Sequence, residues 1–288
     1  MQDDHSIFER DLWRKRRQRA SAVFANVAYL KDEAAQRIIE RLDDIKRDFP
    51  LVLDMGSHQG ALAQLLSGRA GIQHIVQMDH CLSMLPAKGL RVQADEEWLP
   101  FAAESLDAAF SAMSLHWVND LPGALIQLRR ALKPDGLFMA ILPGARTLHE
   151  LRTCLADAEL ACEGGISPRI SPFVEVRDAG GLLQRAGFAL PVVDSDIVQV
   201  TYPNAWALMQ ELRQMGESNA LRSRRRQFTR RETLLHAMEL YHARHQDAEG
   251  RITASFEFIT LTAWSPHISQ QKPARRGSAT IGLHDFFS

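Results

Sequence analysis

Cysteine, charge excess and long apolar runs are all scarce in this sequence. Only three cysteines occur in 288 residues, Cys81, Cys154 and Cys162, and they form no CxxC pair. This excludes a disulfide-dense secreted scaffold and a zinc knuckle, and it fits a reducing compartment best. Lysine plus arginine total 34 against 35 aspartate plus glutamate, a net charge of −1, so we expect no bulk nucleic-acid binder.

Membrane and metal signals are equally weak. No apolar run reaches the roughly 18 residues of a membrane span, so we expect no transmembrane segment. The first residues are acidic and lack an apolar stretch, which argues against a secretory signal and an intact transit peptide. We therefore expect a bacterial cytoplasmic protein, or a mitochondrial matrix protein if the source is eukaryotic. His236, His242 and His245 share one predicted helix without an evident carboxylate partner, so no metal site is expected.

The composition, 45% hydrophobic and 24% charged, is that of a soluble globular protein. Short apolar runs bounded by Pro, Gly or Asp alternate with helical patterns, which is typical of βαβ units and a parallel, doubly wound α/β sheet. The predicted strands are 51–55, 74–79, 89–93, 106–112, 136–142, 188–200 and 252–264. The predicted helices include 61–66, 121–132, 147–162, 178–186, 204–215 and 230–245.

The stretch LVLDMGSHQG, residues 51–60, predicts a ligand-binding turn between a buried strand and a helix. A phosphate loop is excluded because Ala61 and Leu62 replace its Gly and Lys, and a dinucleotide fingerprint would need glycine at position 58. The frame formed by Asp54, Gly56 and Gly60 instead resembles motif I of class I S-adenosylmethionine methyltransferases. A carboxylate at that place favours a cationic amino-acid ligand over a pyrophosphate.

Further polar residues follow the next strands. Asp79 ends the second strand, where an acid can accept hydrogen bonds from both ribose hydroxyls. Asp95 and Glu96 follow the third strand, where such folds place an acid on the adenine amine. Ser57 and Ser114 complete the predicted S-adenosylmethionine contacts. The structural alternative is that Asp54 caps a helix and Asp79 is an ordinary strand-end residue.

The fourth strand ends at candidate catalytic residues: His116, Trp117 and Asp120. The histidine is expected to be a base, a substrate contact or a group behind one. Its alternative is a solvent-edge histidine beside a helix N-cap formed by Asp120. Methyl transfer to a good nucleophile needs mainly proximity and alignment, so no dedicated base is required.

Two basic segments could contact an acidic partner or the surface of a membrane with anionic lipids. One is Arg10–Arg19, and the other is the cluster 222–226 with Arg230 and Arg231. The alternative is that both are solvated helix faces.

Stretches along nearly the whole chain are more specific than the general fold motifs. They are FERDLWRKRR, ADEEWLPF, SLHWVNDLPGAL, LKPDG, GGISPRISPF, MGESNA and RGSATI. Together they resemble the complex I assembly factor 5 family. The resemblance implies a Rossmann-like methyltransferase fold with one antiparallel strand, S-adenosylmethionine as cofactor, and hydroxylation of an arginine on an iron–sulfur subunit of respiratory complex I.

On this basis the chain divides into an N-terminal basic helical segment at 1–48 and an S-adenosylmethionine-binding core at 49–145. Residues 146–269 are expected to add substrate-side insertions and to complete the same domain, and 270–288 form a tail. One residue departs from the superfamily pattern: His58 stands where a second glycine is usual. If the turn requires a positive φ there, histidine costs roughly 1 kcal/mol.

Three functions stay open from sequence. The first is arginine hydroxylation of a protein, for which no oxidant site is visible. The second is a conventional methyltransferase acting on a small or carrier-bound acid, as in biotin synthesis. The third is a non-catalytic assembly chaperone that uses the cofactor structurally.

Overall fold

The structure, a computed structural model, describes residues 6–271 and 278. Most of the predicted tail at 270–288, with the RGSATI stretch, lies outside the described residues. The helices are α1 (Arg10–Ala20), α2 (Tyr29–Asp43), α3 (Ala61–Leu66), α4 (Leu121–Ala131), α5 (His149–Glu163), α6 (Val176–Arg185), α7 (Ala205–Gln214) and α8 (Arg231–His245). The strands are β1 (Leu51–Met55), β2 (His74–Asp79), β3 (Leu90–Gln93), β4 (Leu106–Ala112), β5 (Leu132–Pro143), β6 (Ala189–Tyr202) and β7 (Ile252–Trp264).

The strands form one sheet in the order β3-β2-β1-β4-β5-β7-β6. The first five strands in this order pair in parallel, and β7 runs antiparallel to both β5 and β6. This confirms the predicted α/β fold with one antiparallel strand. Because strand order reverses between β1 and β4, the carboxyl ends of these two strands border the crevice where such sheets bind ligands.

Helices cover both faces of the sheet, as the uninterrupted apolar run of β1 predicts. Val52 packs into the hydrophobic cluster shared with α2, α3, α5, α7 and α8. The next residue, Leu53, points the other way into the cluster shared with α4 and α6. The strand is therefore buried on both faces, and its polar end at Asp54 opens on the sheet edge.

The stretch KPDG, residues 133–136, lies within β5, which begins at Leu132 and not at the predicted 136. Its pairing with β4 explains the difference. Leu132 pairs with Leu106 and Leu137 with Ala108, so residues 133–136 oppose Asp107 alone and bulge out of the ladder. The turn chemistry is real, but backbone pairing resumes on both sides of it.

The N-terminal helix α1 belongs to neither main core. Its buried Trp13 packs in a separate small cluster with Phe8, Trp117, Ala220 and Leu221. The Glu9 N–H donates to the Ala220 carbonyl oxygen at 2.8 Å, which ties the start of the helix to the segment after α7. In this position α1 crosses the carboxyl edge of the sheet. No helix of the described residues has the length and apolar content needed to cross a membrane.

Candidate functional site

The turn after β1 brings the backbone close to the end of β4. Asp54 is buried, and the turn uses left-handed backbone at Gly56 (φ +70°) and Gly60 (φ +82°). The Gly56 N–H donates to the Met78 carbonyl oxygen at 2.8 Å. A Cβ atom at Gly56 would lie 2.2 Å from the Ser114 Cβ, so only glycine fits here.

The departure at position 58 has the predicted backbone consequence. His58 has a φ of +44°, which costs a non-glycine residue about 1 kcal/mol. Contacts offset part of this cost. The His58 N–H donates to Asp79 at 3.2 Å, its Nδ1 donates to the Gly56 carbonyl oxygen, and its ring lies 5.6 Å from that of Phe24. These contacts stabilise the observed conformation of the turn.

The predicted acids do meet at one edge of the sheet. Asp54 and Asp79 end neighbouring strands and are 1% and 0% exposed, and Glu96 is fully buried beside them. The Ser114 hydroxyl donates to Glu96 at 2.8 Å, which links the end of β4 to the loop after β3. We call the set Asp54, Asp79, Asp95 and Glu96 the acidic edge.

The side chains that face these acids come from α1. Arg10 donates to Asp95 at 2.6 Å and to Glu96 at 2.5 Å, and Arg17 donates to Asp79 at 3.0 Å. Both members of the Arg17–Asp79 pair are fully buried. The expectation of a solvated or membrane-facing basic helix is therefore wrong for these two arginines, which point inward because the acidic edge needs counter-charges.

Between the two arginines, the Trp13 ring packs between two other aromatic rings. Its ring lies 5.9 Å from that of His80, nearly parallel at 16°, and 5.7 Å from that of Trp117. The guanidinium groups of Arg10 and Arg17 lie over the Trp13 ring at 4.7 and 4.8 Å. The spacing of these three residues, i, i+3 and i+7, places them on one face of the helix.

The acids at the edge are not equally compensated. Burial raises the pKa of Asp54 to about 6, although Lys31 opposes it. Burial also raises the pKa of Asp79, and Arg17 only partly offsets that effect. At Glu96 burial acts in the same direction, but the charge and hydrogen bond of Arg10 outweigh it and leave the pKa below its ordinary value. The negative charges of Asp54 and Asp79 are thus less well compensated than that of Glu96.

Ser57 lies in the turn after β1 and contacts the neighbouring strand β2. Its hydroxyl donates to the Gln77 side-chain oxygen at 3.3 Å, and its N–H donates to the Met78 carbonyl oxygen at 3.0 Å. The side chain is buried, and its hydrogen bond to Asp54 lowers the pKa of that carboxyl, which places Ser57 beside the acidic edge.

Two of the three candidate catalytic residues share one carboxylate. The Nε2 atom of His116 lies 3.2 Å from Glu217, and the indole N–H of Trp117 donates to the same Glu217 oxygen at 2.7 Å. Burial raises the pKa of Glu217, but the charge and hydrogen bond of His116 and the Trp117 bond bring it below the ordinary value. Glu217 is therefore an ionised acceptor beside the acidic edge.

The third candidate, Asp120, has a capping role. Its Oδ1 accepts from the Gly123 N–H at 2.9 Å at the start of α4. The residue is exposed and does not line the cavity described next. This is the structural alternative considered for it above, and we leave Asp120 out of the proposed site.

A cavity of about 280 Å³ opens next to the acidic edge. Its wall is mostly apolar, with side chains of α2, α5, α7 and the 169–173 loop, and His58, His116 and Trp117 form the side towards α1. Glu217 is the acid among the described lining residues. Lys31 also reaches the wall, where its Nζ donates to the Gly56 carbonyl oxygen at 2.6 Å. Burial and the neighbouring Arg17 hold the pKa of Lys31 well below its ordinary value.

Several residues of this site had no individual role predicted from the sequence: Arg10, Trp13, Arg17, Lys31 and Glu217. The first three had a signal in their helical spacing, which groups two cations and an aromatic ring on one face. Glu217 belongs to MGESNA, a stretch singled out without a residue role. Lys31 had no signal, because a lysine in the first turn of an amphipathic helix is normally solvated.

Comparisons with known proteins agree with this architecture. Residues 53–140 match the family model described as a methyltransferase domain. The zebrafish protein named arginine-hydroxylase NDUFAF5, mitochondrial, is 40% identical over 97% of this chain and 89% of its own. The malonyl-[acyl-carrier protein] O-methyltransferase of Methylovorus sp. is 32% identical over 92% of each chain. The crystal structure of YcgJ from Bacillus subtilis shares the fold, with a TM-score of 0.56 at 14% identity over 82% of this chain and 99% of that one.

Identity at this level over almost the entire length decides between the two groups of relatives. The chain belongs to the arginine-hydroxylase NDUFAF5 family, within the class I S-adenosylmethionine methyltransferases.

Proposed function

We propose that this chain binds S-adenosylmethionine at the acidic edge and hydroxylates an arginine of a protein, an iron–sulfur subunit of respiratory complex I, during its assembly. The observation that carries the proposal is the adjacency of two unlike sites. A row of buried acids suited to a nucleoside lies beside an apolar cavity whose charged acceptor is Glu217. The family relationship supplies the reaction and the class of substrate.

The inner end of the acidic edge fits the methionyl part of the cofactor. The Oδ2 atom of Asp54 is buried without a hydrogen-bond partner among the described residues, and an ammonium group would satisfy it. Lys31 interacts electrostatically with Asp54 and lies against the same turn. We assign Asp54 to the ammonium group of the cofactor and Lys31 to its carboxylate.

The outer end fits the adenosyl part. Asp79 would accept the ribose hydroxyls, and Asp95 and Glu96 the adenine amine, since ionised carboxylates make strong hydrogen bonds to such donors. Gly56 and Gly60 let the backbone approach the ligand, and Ser114 holds Glu96 in place. S-adenosylmethionine would supply a sulfonium centre with an electrophilic methyl group.

The cavity is where we place the target side chain. An arginine needs apolar walls for its methylene groups and an anionic acceptor for its guanidinium group. The walls of the cavity and Glu217 provide these two features, and His116 and Trp117 fix the Glu217 carboxylate by their bonds to one of its oxygens. In this arrangement Glu217 is the binding residue for the guanidinium and His116 positions it.

The residues of the chain bind and orient, and the oxidant enters as a co-substrate. Replacing a C–H bond of arginine by C–OH inserts one oxygen atom and is a two-electron oxidation. With dioxygen as the oxidant, one oxygen atom would enter the arginine and the other would leave as water, with two electrons and two protons supplied by a reductant. Alignment of the target carbon in the cavity is the contribution that the observed geometry supports.

The test is the mass of the target. Complex I iron–sulfur subunits purified from a deletion strain should be lighter, by one oxygen atom, than those from the parent strain, and peptide mapping should place the difference on an arginine. Complementation with the wild-type gene should restore the mass. A deficit of one methylene group would instead indicate methylation, as in the carrier-protein methyltransferases, and an unchanged mass would contradict an enzymatic role.

A further inference from the structure

The chain itself contacts every part of the acidic edge that the adenosyl group would use. Arg10 lies on Asp95 and Glu96, and Arg17 lies on Asp79. Between them, the indole of Trp13 is held between the rings of His80 and Trp117. An adenosyl group presents the same sequence of features: an amine, a bicyclic aromatic ring and a pair of hydroxyl donors.

We propose that α1 is an internal competitor of the cofactor, in which Arg10, Trp13 and Arg17 imitate the adenine amine, the purine ring and the ribose, and that cofactor binding requires these three side chains to withdraw. The inference rests on the proposed function, because it needs the acidic edge to be the nucleoside site. It adds that cofactor affinity is set by residues of α1 that do not contact the bound cofactor.

The fit of α1 at the edge is imperfect, which is what a displaceable element requires. Half of the buried side-chain polar atoms without a hydrogen-bond partner among the described residues belong to α1. They are Arg10 Nε, Trp13 Nε1, Arg14 Nε, Arg17 Nε and Arg17 Nη1. Each such atom costs free energy that a better-matched ligand would avoid.

The facing groups show the same shortfall. Asp54 Oδ2, His80 Nε2 and His116 Nδ1 are also buried without partners among the described residues. The fully buried Arg17–Asp79 pair has lost the hydration of both ions, and a buried pair of this kind often contributes little net stability. The ion pairs therefore position α1 on the acidic edge but contribute little net free energy to its binding there.

The way α1 is attached allows it to move without unfolding the domain. Its aromatic cluster is separate from the two cores on the sheet faces, so withdrawal leaves those cores intact. The ends stay tethered by contacts outside the acidic edge. Phe8 pairs with Leu221 at one end, and the Gln59 side chain donates to the Ser21 carbonyl oxygen at 2.8 Å at the other.

The apparent affinity of a ligand for a partly occluded site is its intrinsic affinity multiplied by the fraction of molecules in which the site is open. Weakening α1 should therefore tighten binding of S-adenosylhomocysteine. The double variant Arg10→Met and Arg17→Met removes both guanidinium groups and keeps linear apolar side chains. We expect it to bind S-adenosylhomocysteine about tenfold more tightly than the wild type in calorimetric titrations. The matched control is Arg19→Met, an exposed arginine of the same helix, whose affinity should match the wild type.

A second measurement uses the wild-type chain and does not depend on how the variants fold. Saturation with S-adenosylhomocysteine should slow hydrogen exchange in the turn after β1 and speed it in residues 10–20, because the ligand takes the place of the α1 side chains. Slower exchange in 10–20, or equal or weaker affinity of the double variant, would overturn the inference and make α1 part of the closed cofactor site. Those outcomes leave the proposed function standing. Failure of wild type and variant alike to bind the ligand would overturn both.

Discussion

The two halves of the crevice differ in the charge of the side chains that line them. At the acidic edge, Asp79, Asp95 and Glu96 pair with Arg10 and Arg17 of the same chain, whereas the wall of the neighbouring cavity of about 280 Å³ is mostly apolar. The difference follows from solvation. Buried carboxylates without counter-charges would cost several kcal/mol, whereas apolar side chains need no such partners. The acidic edge therefore needs the counter-charges that α1 supplies, and the apolar part of the cavity wall does not.

The largest effect should come from breaking the charged half. Asp79→Ala removes both the predicted ribose contact and the partner of Arg17. We expect S-adenosylhomocysteine binding to weaken by roughly 1 to 3 kcal/mol, the scale of a lost hydrogen bond to a charged group. Calorimetric titration measures it, with Asp194→Ala, from a surface pair with Arg41, as the control. Unchanged affinity would remove Asp79 from the cofactor site.

The apolar half can be altered separately at Glu217. Glu217→Gln keeps the size of the side chain but removes the charge that we assign to the guanidinium, so turnover on the protein target should fall by about 20-fold, as expected for a lost charged hydrogen bond. Cofactor affinity should stay within about twofold, because Glu217 lies on the cavity side of the crevice. Glu239→Gln, at a largely exposed site, is the control. A parallel loss of cofactor affinity would show that Glu217 also belongs to the cofactor site, so that the two halves do not act separately.

The pH dependence of cofactor binding should report on the inner end of the charged half. The pKa of Asp54 is raised to about 6, so the carboxyl is protonated below that pH and cannot pair with an ammonium group. Affinity for S-adenosylhomocysteine should therefore fall as the pH drops through 6, by about tenfold per unit below it. Titrations between pH 5 and 7.5 check this. Asp54→Asn should bind weakly at every pH, and an unaltered profile in that variant would assign the titration to another group.

Free-protein stability should respond to Asp54 in the opposite sense. A carboxyl whose pKa is raised on folding binds more protons in the folded state, so stability decreases as the pH rises from the unfolded value of about 4 to about 6. Thermal unfolding of the ligand-free chain should accordingly show Asp54→Asn to be more stable than wild type at pH 7.5. No gain in the variant would mean that the observed contacts already compensate the charge.

The smallest effect should come from the turn that joins the halves. His58→Gly relieves a left-handed backbone and keeps the N–H donated to Asp79, but it loses the side-chain contacts to the Gly56 carbonyl oxygen and to Phe24. These contributions oppose each other, so we expect the free energy of unfolding to change by less than about 1 kcal/mol. Denaturant unfolding measures it, and a loss well above that value would show that the histidine contacts dominate the turn.

Much of the sheet could be predicted from sequence because its signals are local. The strands 51–55, 74–79 and 106–112 and the helix 61–66 match the structure in both bounds. Their apolar patterns indicate the type and length of each element without reference to the rest of the fold. The same logic brought Asp54, Asp79, Asp95 and Glu96 to one edge. Strand ends in a parallel sheet converge whatever the loops do.

The parts that could not be predicted depend on tertiary pairing. A run such as RDLWRKRRQR is typical of a solvated helix unless buried acids lie opposite it, and nothing near Arg10 or Arg17 in the sequence announces those acids. Asp120 caps α4, because local backbone groups compete for short polar side chains. In each case the type of residue was informative, but its partner was decided by the fold.

The central claim is that the acidic edge holds the adenosyl group once the α1 side chains have left it. A crystal structure of the complex with S-adenosylhomocysteine tests this most directly. Our account predicts ribose hydroxyls on Asp79, the adenine amine on Asp95 or Glu96, and the Arg17 guanidinium beyond hydrogen-bond distance of Asp79. A ligand bound elsewhere, with the Arg17–Asp79 pair intact, would contradict it.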